Sequence, residues 1–269
     1  MKIQDIYIYP IKSLGGIRLQ EAEVKTKGFK WDRRWMLVDD TGGFLSQRSL
    51  HHMALLQVEI HENGLKVFHK TKQDQYINIP FTPETDDFIQ VQVWDDSLSG
   101  QIVSTKANQW FSETLNINCQ LIFMPEDSFR PVEEKYTVNN ETVSFADAMP
   151  YLLIGQGSLD DLNSRLDTPV PMERFRPNLV FSGGKAFQED DWSNIQIGDC
   201  TFKITKPCAR CVLTTVDQNT GLKGKEPLKT LSRFRLKDKK VLFGQNLISL
   251  KNGTVKVGDE LIVKKASTL

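Results

Sequence analysis

Cysteine is scarce in this chain, and neither sign of charge is in excess. Four cysteines in 269 residues are too few for a disulfide scaffold, so we expect a reducing compartment. Thirty-four basic and thirty-four acidic residues cancel. This balance argues against a protein that binds nucleic acid or the surface of an anionic membrane. An anionic ligand would therefore have to meet a local cluster of cations.

Long hydrophobic runs and an apolar leader are also missing. No stretch approaches the roughly 20 apolar residues that span a bilayer. Lys2 and Asp5 put charges within positions 1–7, where a signal peptide needs an apolar core. We therefore expect a cytoplasmic protein that is neither exported nor bound to a membrane.

Most of the recognisable pattern is strand and turn. Alternation of isoleucine and tyrosine over 6–9 predicts a first strand. Residues 58–67 predict a hairpin with a type I′ turn at Asn63-Gly64. Turn-forming residues over 39–43 and 95–100 predict two more hairpins. The first third of the chain is thus predicted to be a β meander.

Three helices are predicted against this background of strands. Apolar spacing over 105–115 predicts an amphipathic helix that ends the first part of the chain. Ser158 is the predicted N-cap of a second helix, and Glu226-Pro227 the start of a third. Gly-Asp dipeptides at 198–199 and 258–259 each predict the turn of a strand pair. The length of the chain favours two domains.

The segment Lys206-Pro207-Cys208-Ala209-Arg210-Cys211 is where we expect chemistry. A cysteine acts as a nucleophile or a metal ligand in its thiolate form, which neighbouring cations favour. Lys206 and Arg210 would supply that charge. The apolar run over 212–217 that follows predicts a strand, so the two thiols would lie at its mouth.

The residues alone leave four interpretations of the cysteine pair open. A structural zinc site usually has four ligands, so it would need a second Cys/His pair at similar spacing, and the sequence contains none. Two intervening residues suit a reversible dithiol, although a thioredoxin motif opens a helix rather than a strand. The other two interpretations are a pair of half-buried structural thiols and a soft metal held by one thiolate.

Five motifs occur along the chain in a recognisable order. They are Tyr9-Pro10-Ile11-Lys12-Ser13, Asp32-Arg33-Arg34-Trp35, Phe175-Arg176-Pro177-Asn178, the run from Cys211 to Asp217, and Leu242-Phe243-Gly244-Gln245-Asn246. Together they resemble two-part MOSC-domain proteins, among them the mitochondrial amidoxime-reducing component with its bacterial relatives and the C-terminal part of molybdenum cofactor sulfurase. The resemblance spans essentially the whole chain. It implies a mixed α/β, β-rich fold, with an N-terminal β-barrel-like domain over 1–123 and a MOSC β-barrel domain with peripheral helices over 124–269.

The resemblance also implies a site. Cys211 would be the thiolate bound to molybdenum, with a molybdopterin cofactor lying between the two domains. Molybdopterin carries a phosphate and a hydrogen-bonding pterin, so it calls for cations and amides around a soft-metal ligand. The residues implied to bind the cofactor are Lys12, Ser13, Arg33, Asp147, Arg176, Asn178, Ala209, Arg210 and Asn246. Cys208 would be a neighbour of the site and not a ligand.

The implied function is reduction of small N-hydroxylated compounds, such as amidoximes and hydroxylamines, at the molybdenum. Asp217 is a candidate proton relay, with orientation of the loop before Gly221 as its alternative role. Some relatives carry a membrane anchor or a ferredoxin-like domain, and we expect neither here. Electrons would then come from a separate flavin or iron-sulfur protein.

Differences from the mitochondrial forms put the substrate range in doubt, because Ala209 and Asn246 replace a serine and a tyrosine and Ala148 a threonine. Two other functions stay open. One is a non-catalytic carrier of the cofactor or its sulfur, related to the sulfurase C-terminal part. The other is a metal-free thiol-disulfide protein that uses Cys208 and Cys211.

Overall fold

The computed structural model describes residues 1–264 and has a β-rich, mixed α/β fold. Its strands are β1 (Lys2–Ile8), β2 (Ile17–Leu19), β3 (Glu21–Lys25), β4 (Gly28–Phe29), β5 (Trp35–Val38), β6 (Leu56–His61), β7 (Gly64–His69), β8 (Lys72–Pro80), β9 (Phe88–Val93), β10 (Asp96–Ile102), β11 (Gln120–Phe123), β12 (Tyr151–Gly155), β13 (Leu179–Ser182), β14 (Asn194–Ile197), β15 (Cys200–Arg210), β16 (Leu236–Lys237), β17 (Lys240–Lys251), β18 (Gly253–Lys256) and β19 (Leu261–Lys264). The α-helices are α1 (Thr105–Leu115), α2 (Gln156–Asn163) and α3 (Leu228–Phe234). Short 3-10 segments lie at His51–Leu55, Glu134–Tyr136, Met172–Arg174, Gln188–Asp191 and Val212–Thr215. None of the helices in this described part combines the length and apolar character needed to cross a bilayer.

The largest sheet of the described chain has nine strands. Its order is β19-β14-β15-β17-β12-β13-β1-β2, with β16 paired to β17. Strands β12 and β13 are parallel, and the other neighbours are antiparallel. The long pair β15 and β17 extends from Thr201 opposite Lys251 to Arg210 opposite Val241, with three shifts of register on the way. This pair carries the cysteine segment to one end of the sheet.

Three smaller sheets complete the fold, in the orders β5-β11-β10-β9, β6-β7-β8 and β18-β3-β4. Two pairings join the beginning of the chain to its second half. Strand β1 pairs with β13, and β3 pairs with β18. The chain position 123/124 is therefore not a boundary between sheets, and the division into domains at that point stays a prediction.

The described residues form two large apolar cores. One contains Trp35, Val67 and Phe111 from the first half of the chain. The other contains buried residues of the nine-stranded sheet, such as those of β1, β12 and β15. Ile17 and Trp31 pack against both cores. These two side chains make the cores continuous.

Several elements predicted from the sequence are confirmed. Strand β1 covers the first predicted strand, and β6 and β7 form the predicted hairpin. Helix α1 has the predicted bounds, and its N-cap is Ser104, whose Oγ accepts a hydrogen bond from the Ala107 amide. Helix α3 begins directly after Pro227, which is its N-cap residue. The predicted turn at 198–199 lies between the paired strands β14 and β15.

The type I′ turn predicted at Asn63-Gly64 is wrong, although the hairpin is right. His61 pairs with Gly64, so the two loop residues are Glu62 and Asn63, and neither Asn63 nor Gly64 has a positive φ. Gly64 is required for another reason. A Cβ atom at this position would lie 2.1 Å from the Ile79 carbonyl oxygen, so the close approach of β8 selects glycine.

Two predicted turns also differ in the structure. Strands β9 and β10 pair as far as Val93 opposite Asp96, so the predicted loop over 95–100 is strand and the turn is only Trp94-Asp95. The Gly-Asp turn at 258–259 lies between β18 and β19, but these strands pair with β3 and β14 and not with each other. In both cases the pairing of whole strands, and not the local turn residues, decides where each strand ends and which strand it joins.

Two helix and strand predictions are corrected as well. Helix α2 begins at Gln156, and Ser158 lies within it because its hydroxyl donates to Glu189 Oε1 at 2.7 Å instead of capping. The predicted strand over 212–217 is a 3-10 turn in its first part. There the hydroxyls of Thr214 and Thr215 donate to the carbonyl oxygens of Cys211 and Val212 at 2.9 and 2.7 Å.

Candidate functional site

A cleft of about 1160 Å³ opens between residues of the first and second halves of the chain. The ten residues predicted to bind the cofactor or metal all line it; they are Lys12, Ser13, Arg33, Asp147, Arg176, Asn178, Ala209, Arg210, Cys211 and Asn246. These residues are spread over 235 positions of the sequence, from 12 to 246. The fold therefore gathers the predicted set in one cavity.

Cys211 lies at the end of the longest strand pair. Strand β15 ends at Arg210, and the 3-10 turn that follows points the chain away from the sheet. The thiol of Cys211 is half-buried and free, as is that of Cys208. A strand end followed by a tight turn leaves the sulfur facing the cleft instead of a neighbouring strand.

Arg48 is the cation that contacts this thiol. Its Nε lies 3.3 Å from Cys211 Sγ, and its Nη2 donates to Asp147 Oδ2 at 2.7 Å. The guanidinium also lies over the Trp94 ring, 4.6 Å from its centroid. Arg48 and Trp94 line the cleft, and sequence reasoning missed both because neither belongs to one of the five motifs. Neither lies in a predicted turn, so their residue types, a cation and an aromatic side chain, were the only signal.

Of the two cations expected to act on the cysteines, Arg210 contacts a thiol and Lys206 does not. Arg210 Nη1 donates to Cys208 Sγ at 2.9 Å, and its Nη2 bonds to the Phe175 carbonyl oxygen. Lys206 turns towards Glu133, with 3.6 Å between Nζ and Oε2. The two thiols are thus unequal, since Arg210 contacts Cys208 and Arg48 contacts Cys211.

Lys12 and Asp147 form an ion pair in the wall of the cleft. Lys12 Nζ lies 2.5 Å from Asp147 Oδ1 and donates to the Phe145 carbonyl oxygen at 2.7 Å. Burial lowers the pKa of Lys12 to about 8, and the attraction of Asp147 opposes that shift. Burial works to raise the pKa of Asp147, but Lys12 and Arg48 outweigh it and hold the pKa well below its usual range. Half of the Asp147 side chain faces the open cleft, so solvent screens this carboxylate.

A second polar cluster is built around the buried carboxylate of Asp32. Arg33 Nη1 and Asn178 Nδ2 donate to its Oδ2 at 2.5 and 3.0 Å. Two guanidinium groups lie over the Tyr9 ring. The distance to the ring centroid is 4.3 Å for Arg33 and 4.1 Å for Arg176. Asn178 also donates to the Tyr7 carbonyl oxygen, so most of its amide is already engaged. Asn178 therefore acts mainly as a support for Arg33.

Three of the predicted cofactor-binding residues have left-handed backbone conformations. The φ angles are 68° at Ser13, 50° at Arg33 and 54° at Arg176. None of the three is glycine, and residues with side chains rarely adopt this region unless the surrounding structure enforces it. Such strain collects at functional sites, which agrees with their position in the cleft.

Two buried arginine nitrogens in the cleft wall have no hydrogen-bond partner among residues 1–264. They are Arg176 Nη2 and Arg210 Nε. Burial lowers the pKa of Arg176 to about 10, which shows the cost of its desolvation. Buried polar groups are normally satisfied, and unpaired guanidinium donors suit a phosphate or another anion. The residues present therefore fit a group such as molybdopterin.

Asp217 lies apart from this arrangement. The cleft lining, as far as residues 1–264 form it, does not include it. Its carboxylate accepts from Arg174 at 2.7 Å and from the amides of Asn219 and Thr220 at 3.0 and 2.9 Å. These bonds order the loop before Gly221. The proton-relay role of Asp217 stays a prediction, and its alternative role has direct contacts.

No group of three or more His, Cys, Asp or Glu side chains within residues 1–264 is arranged to hold a metal ion. A metal at Cys211 would thus need further ligands from a bound cofactor. Molybdopterin would provide such ligands, because it binds its metal through sulfur.

Known proteins are similar to the chain over nearly its whole length. Residues 1–118 match the MOSC N-terminal beta barrel domain, and residues 140–262 match the MOSC domain. The mitochondrial amidoxime-reducing component 1 of Mus musculus is 34% identical over 96% of this chain and 80% of that protein. Its counterpart in Homo sapiens is 31% identical over 96% of this chain and 81% of its own length.

More distant similarities have a narrower scope. Molybdenum cofactor sulfurase of Oryza sativa subsp. japonica is 30% identical over 90% of this chain, which corresponds to 32% of that protein. Among solved structures, the YUAD protein of Bacillus subtilis covers 97% of the chain and is itself covered to 93%. Its sequence identity is 10% and its TM-score 0.43.

Proposed function

Because the chain belongs to the family of MOSC-domain proteins with an N-terminal MOSC β-barrel domain, we propose that its cleft binds a molybdenum cofactor. We further propose that the protein reduces small N-hydroxylated compounds, such as amidoximes and hydroxylamines. One observation carries the proposal. A free thiol that accepts a hydrogen bond from Arg48 shares one cleft with unpaired arginine donors suited to an anionic cofactor.

The proposed cofactor-binding set divides by chemistry. Lys12, Arg33, Arg176 and Arg210 provide positive charge for the phosphate, and Ser13, Asp147 and Asn246 provide polar atoms for the pterin. Ala209 contributes its backbone, and Asn178 holds Arg33 in place. Cys211 is the proposed metal ligand. The bound cofactor would supply a redox metal with an open coordination position for the substrate oxygen.

The remaining roles belong to residues of this chain around the thiol. Arg48 orients Cys211 Sγ and provides positive charge beside a thiolate. Lys12 and Asp147 anchor that arginine through a continuous ion-pair chain. Trp94 covers the other side of the guanidinium and limits its access to water. We also propose a reducing, cytoplasmic location, in which the four free cysteines would stay reduced.

The test begins with metal analysis of protein made in a host that synthesises molybdopterin. We expect near-stoichiometric molybdenum in the wild type and in Cys208→Ala, and loss of molybdenum in Cys211→Ala. Benzamidoxime reduction driven by reduced methyl viologen should follow the same pattern. Wild-type protein without molybdenum under these conditions would overturn the proposal.

A second candidate function is supported by the similarity to rice molybdenum cofactor sulfurase. In that case the chain would carry the cofactor or its sulfur without reducing a substrate. The same experiment separates the two functions, because fully loaded protein that fails to reduce benzamidoxime and hydroxylamine would favour the carrier.

A further inference from the structure

The charge of this neutral chain is unevenly distributed along the sequence. Residues 222–240 contain eight basic and two acidic residues, whereas the whole chain has no net charge. The basic residues are Lys223, Lys225, Lys229, Arg233, Arg235, Lys237, Lys239 and Lys240. Arg235 pairs with Asp190, and the six lysines and Arg233 are exposed and make no ion pair with any residue of 1–264. We call residues 222–240 the basic face.

Backbone contacts join the basic face into one surface beside the cleft. The Gly224 amide donates to the Thr215 carbonyl oxygen at 2.9 Å, which ties residues 223–225 to the turn after Cys211. The Lys229 amide donates to the Lys225 carbonyl oxygen at 3.0 Å, and Lys237 pairs with Lys240 across β16 and β17. The basic face therefore extends from the 3-10 turn after Cys211 to the start of β17, the strand that pairs with Arg210.

Exposed apolar side chains interrupt these charges. Leu222 is 69% exposed and Leu236 59% exposed, and both lie in the basic face. Val212, which follows Cys211 directly, is 40% exposed. Exposed leucines next to unpaired lysines are typical of a surface that meets another protein, because charge steers the encounter and apolar contact stabilises it.

The position of this surface indicates what its partner would do. Arg210 lies opposite Val241, so the β16–β17 hairpin is one strand away from the cysteine segment. Lys237 and Lys240 also reach the rim of the cleft. A protein bound here would approach the proposed molybdenum site from the side of the Cys211 turn.

We propose that the basic face, together with Val212, docks a small acidic electron-transfer protein. This inference rests on the proposed function, in which every turnover consumes two electrons that have to be delivered from outside the chain. Reduction of an N-hydroxy group takes two electrons and two protons, breaks the N–O bond, and yields the N–H compound and water. The acidic partner is oxidised by two electrons in total, and the protons come from solvent.

The experiment compares two triple variants of the molybdenum-loaded protein. Lys225→Glu/Lys229→Glu/Arg233→Glu reverses charge on the basic face. Lys72→Glu/Lys106→Glu/Lys251→Glu makes the same change in net charge at exposed lysines elsewhere. Benzamidoxime reduction is driven by a reduced plant-type ferredoxin, by a reduced flavodoxin or by reduced methyl viologen, at low and high ionic strength.

We expect wild type to accept electrons from at least one acidic protein, at a rate that falls with added salt. The basic-face variant should lose about ten-fold or more of that rate at low salt, since steering by complementary charge acts on this scale. The control variant should lose much less. Methyl viologen should drive all three proteins equally, which also shows that the variants are folded and loaded.

Three results would overturn the docking proposal. The first is equal slowing of both variants, and the second is no electron transfer from either acidic protein while methyl viologen works. The third is a basic-face variant that keeps its rate of electron transfer and loses only binding to RNA or to anionic lipid vesicles. Failure of methyl viologen with loaded wild type would instead overturn the proposed function. Docking would then be judged by salt-dependent binding of the ferredoxin and the flavodoxin to wild type and the two variants.

Discussion

At the scale of single residues, the site depends on groups that hold one another in place. Cys211 accepts from Arg48, Arg48 donates to Asp147, and Asp147 pairs with Lys12. Hydrogen bonds to a metal-bound sulfur tune the metal as well as the geometry of the ligand. Arg48 is therefore a positioning residue whose removal should alter the site without removing its metal ligand.

Arg48→Gln and Arg48→Lys test this role. We expect Arg48→Gln to keep most of the molybdenum but to lower kcat for benzamidoxime about ten-fold to a hundred-fold, as is typical for outer-shell groups. Arg48→Lys keeps the charge and should recover part of the loss. The Mo(V) electron paramagnetic resonance spectrum should also shift, because the hydrogen bond to sulfur is gone. An unchanged spectrum and unchanged kcat in Arg48→Gln would show that the contact has no role.

The burial of Lys12 predicts how the free energy of unfolding depends on pH. Its pKa is about 8 in the folded protein and 10.5 in the reference state, so the unfolded chain binds more protons between these values. Stability must then rise with pH across this window, by roughly 3 kcal/mol at about 1.4 kcal/mol per pKa unit. Below pH 8 the lysine is protonated in both states and its contribution is constant.

The measurement is urea unfolding of wild type and Lys12→Met from pH 7 to pH 10.5. The free energy of unfolding of the wild type should rise relative to the variant as the pH passes from 8 to 10.5. Other groups that titrate there, such as Arg176, cancel in the difference. Parallel curves for the two proteins would mean that Lys12 is not desolvated as described.

At the scale of secondary structure, the sequence was informative where a local pattern and the fold agree. Helix α1 has the apolar spacing that predicted it, and its bounds are those expected. The errors occur where distant partners decide. Ser158 could not be placed without Glu189, and the strand after Gly258-Asp259 could not be paired without β14.

Gly64 provides a test at this scale. Gly64→Ala should destabilise the protein by about 1–3 kcal/mol, as expected when an added methyl group overpacks a site, because its Cβ would meet the Ile79 carbonyl oxygen. Gly224→Ala is the matched control, since its Cβ would meet only the Thr215 carbonyl oxygen at 3.7 Å. Thermal unfolding of both variants gives the comparison. Similar melting temperatures would contradict a close approach at β8.

At the scale of the whole molecule, the five ordered motifs and the family resemblance that they carry predicted which residues share the cleft. Seven of the ten predicted binding residues belong to the five motifs, and the resemblance alone implied the other three, which are Asp147, Ala209 and Arg210. Arg48, Trp94 and the basic face belong to none of them, so only the folded chain shows their position beside Cys211. The same limit applies to the chain division at 123/124, because strand pairing between β1 and β13 leaves no mark on composition.

This pairing predicts that the two halves are not independent. A fragment of residues 124–269 would lack β1 and β3, the partners of β13 and β18, and would expose the core that these strands cover. We expect it to show no cooperative thermal transition alone and to regain one when mixed with residues 1–123. Circular dichroism of the separate and mixed fragments measures this. A cooperative transition in the 124–269 fragment alone would support an autonomous second domain.

The left-handed backbone at Ser13, Arg33 and Arg176 has a consequence for protein engineering. Glycine at any of these positions would relieve an unfavourable φ angle, and asparagine would tolerate it better than arginine. A library selected for heat resistance alone should therefore enrich such replacements and discard the side chains proposed to bind the cofactor. Thermostability and cofactor retention compete at these three positions, so both would have to be screened together.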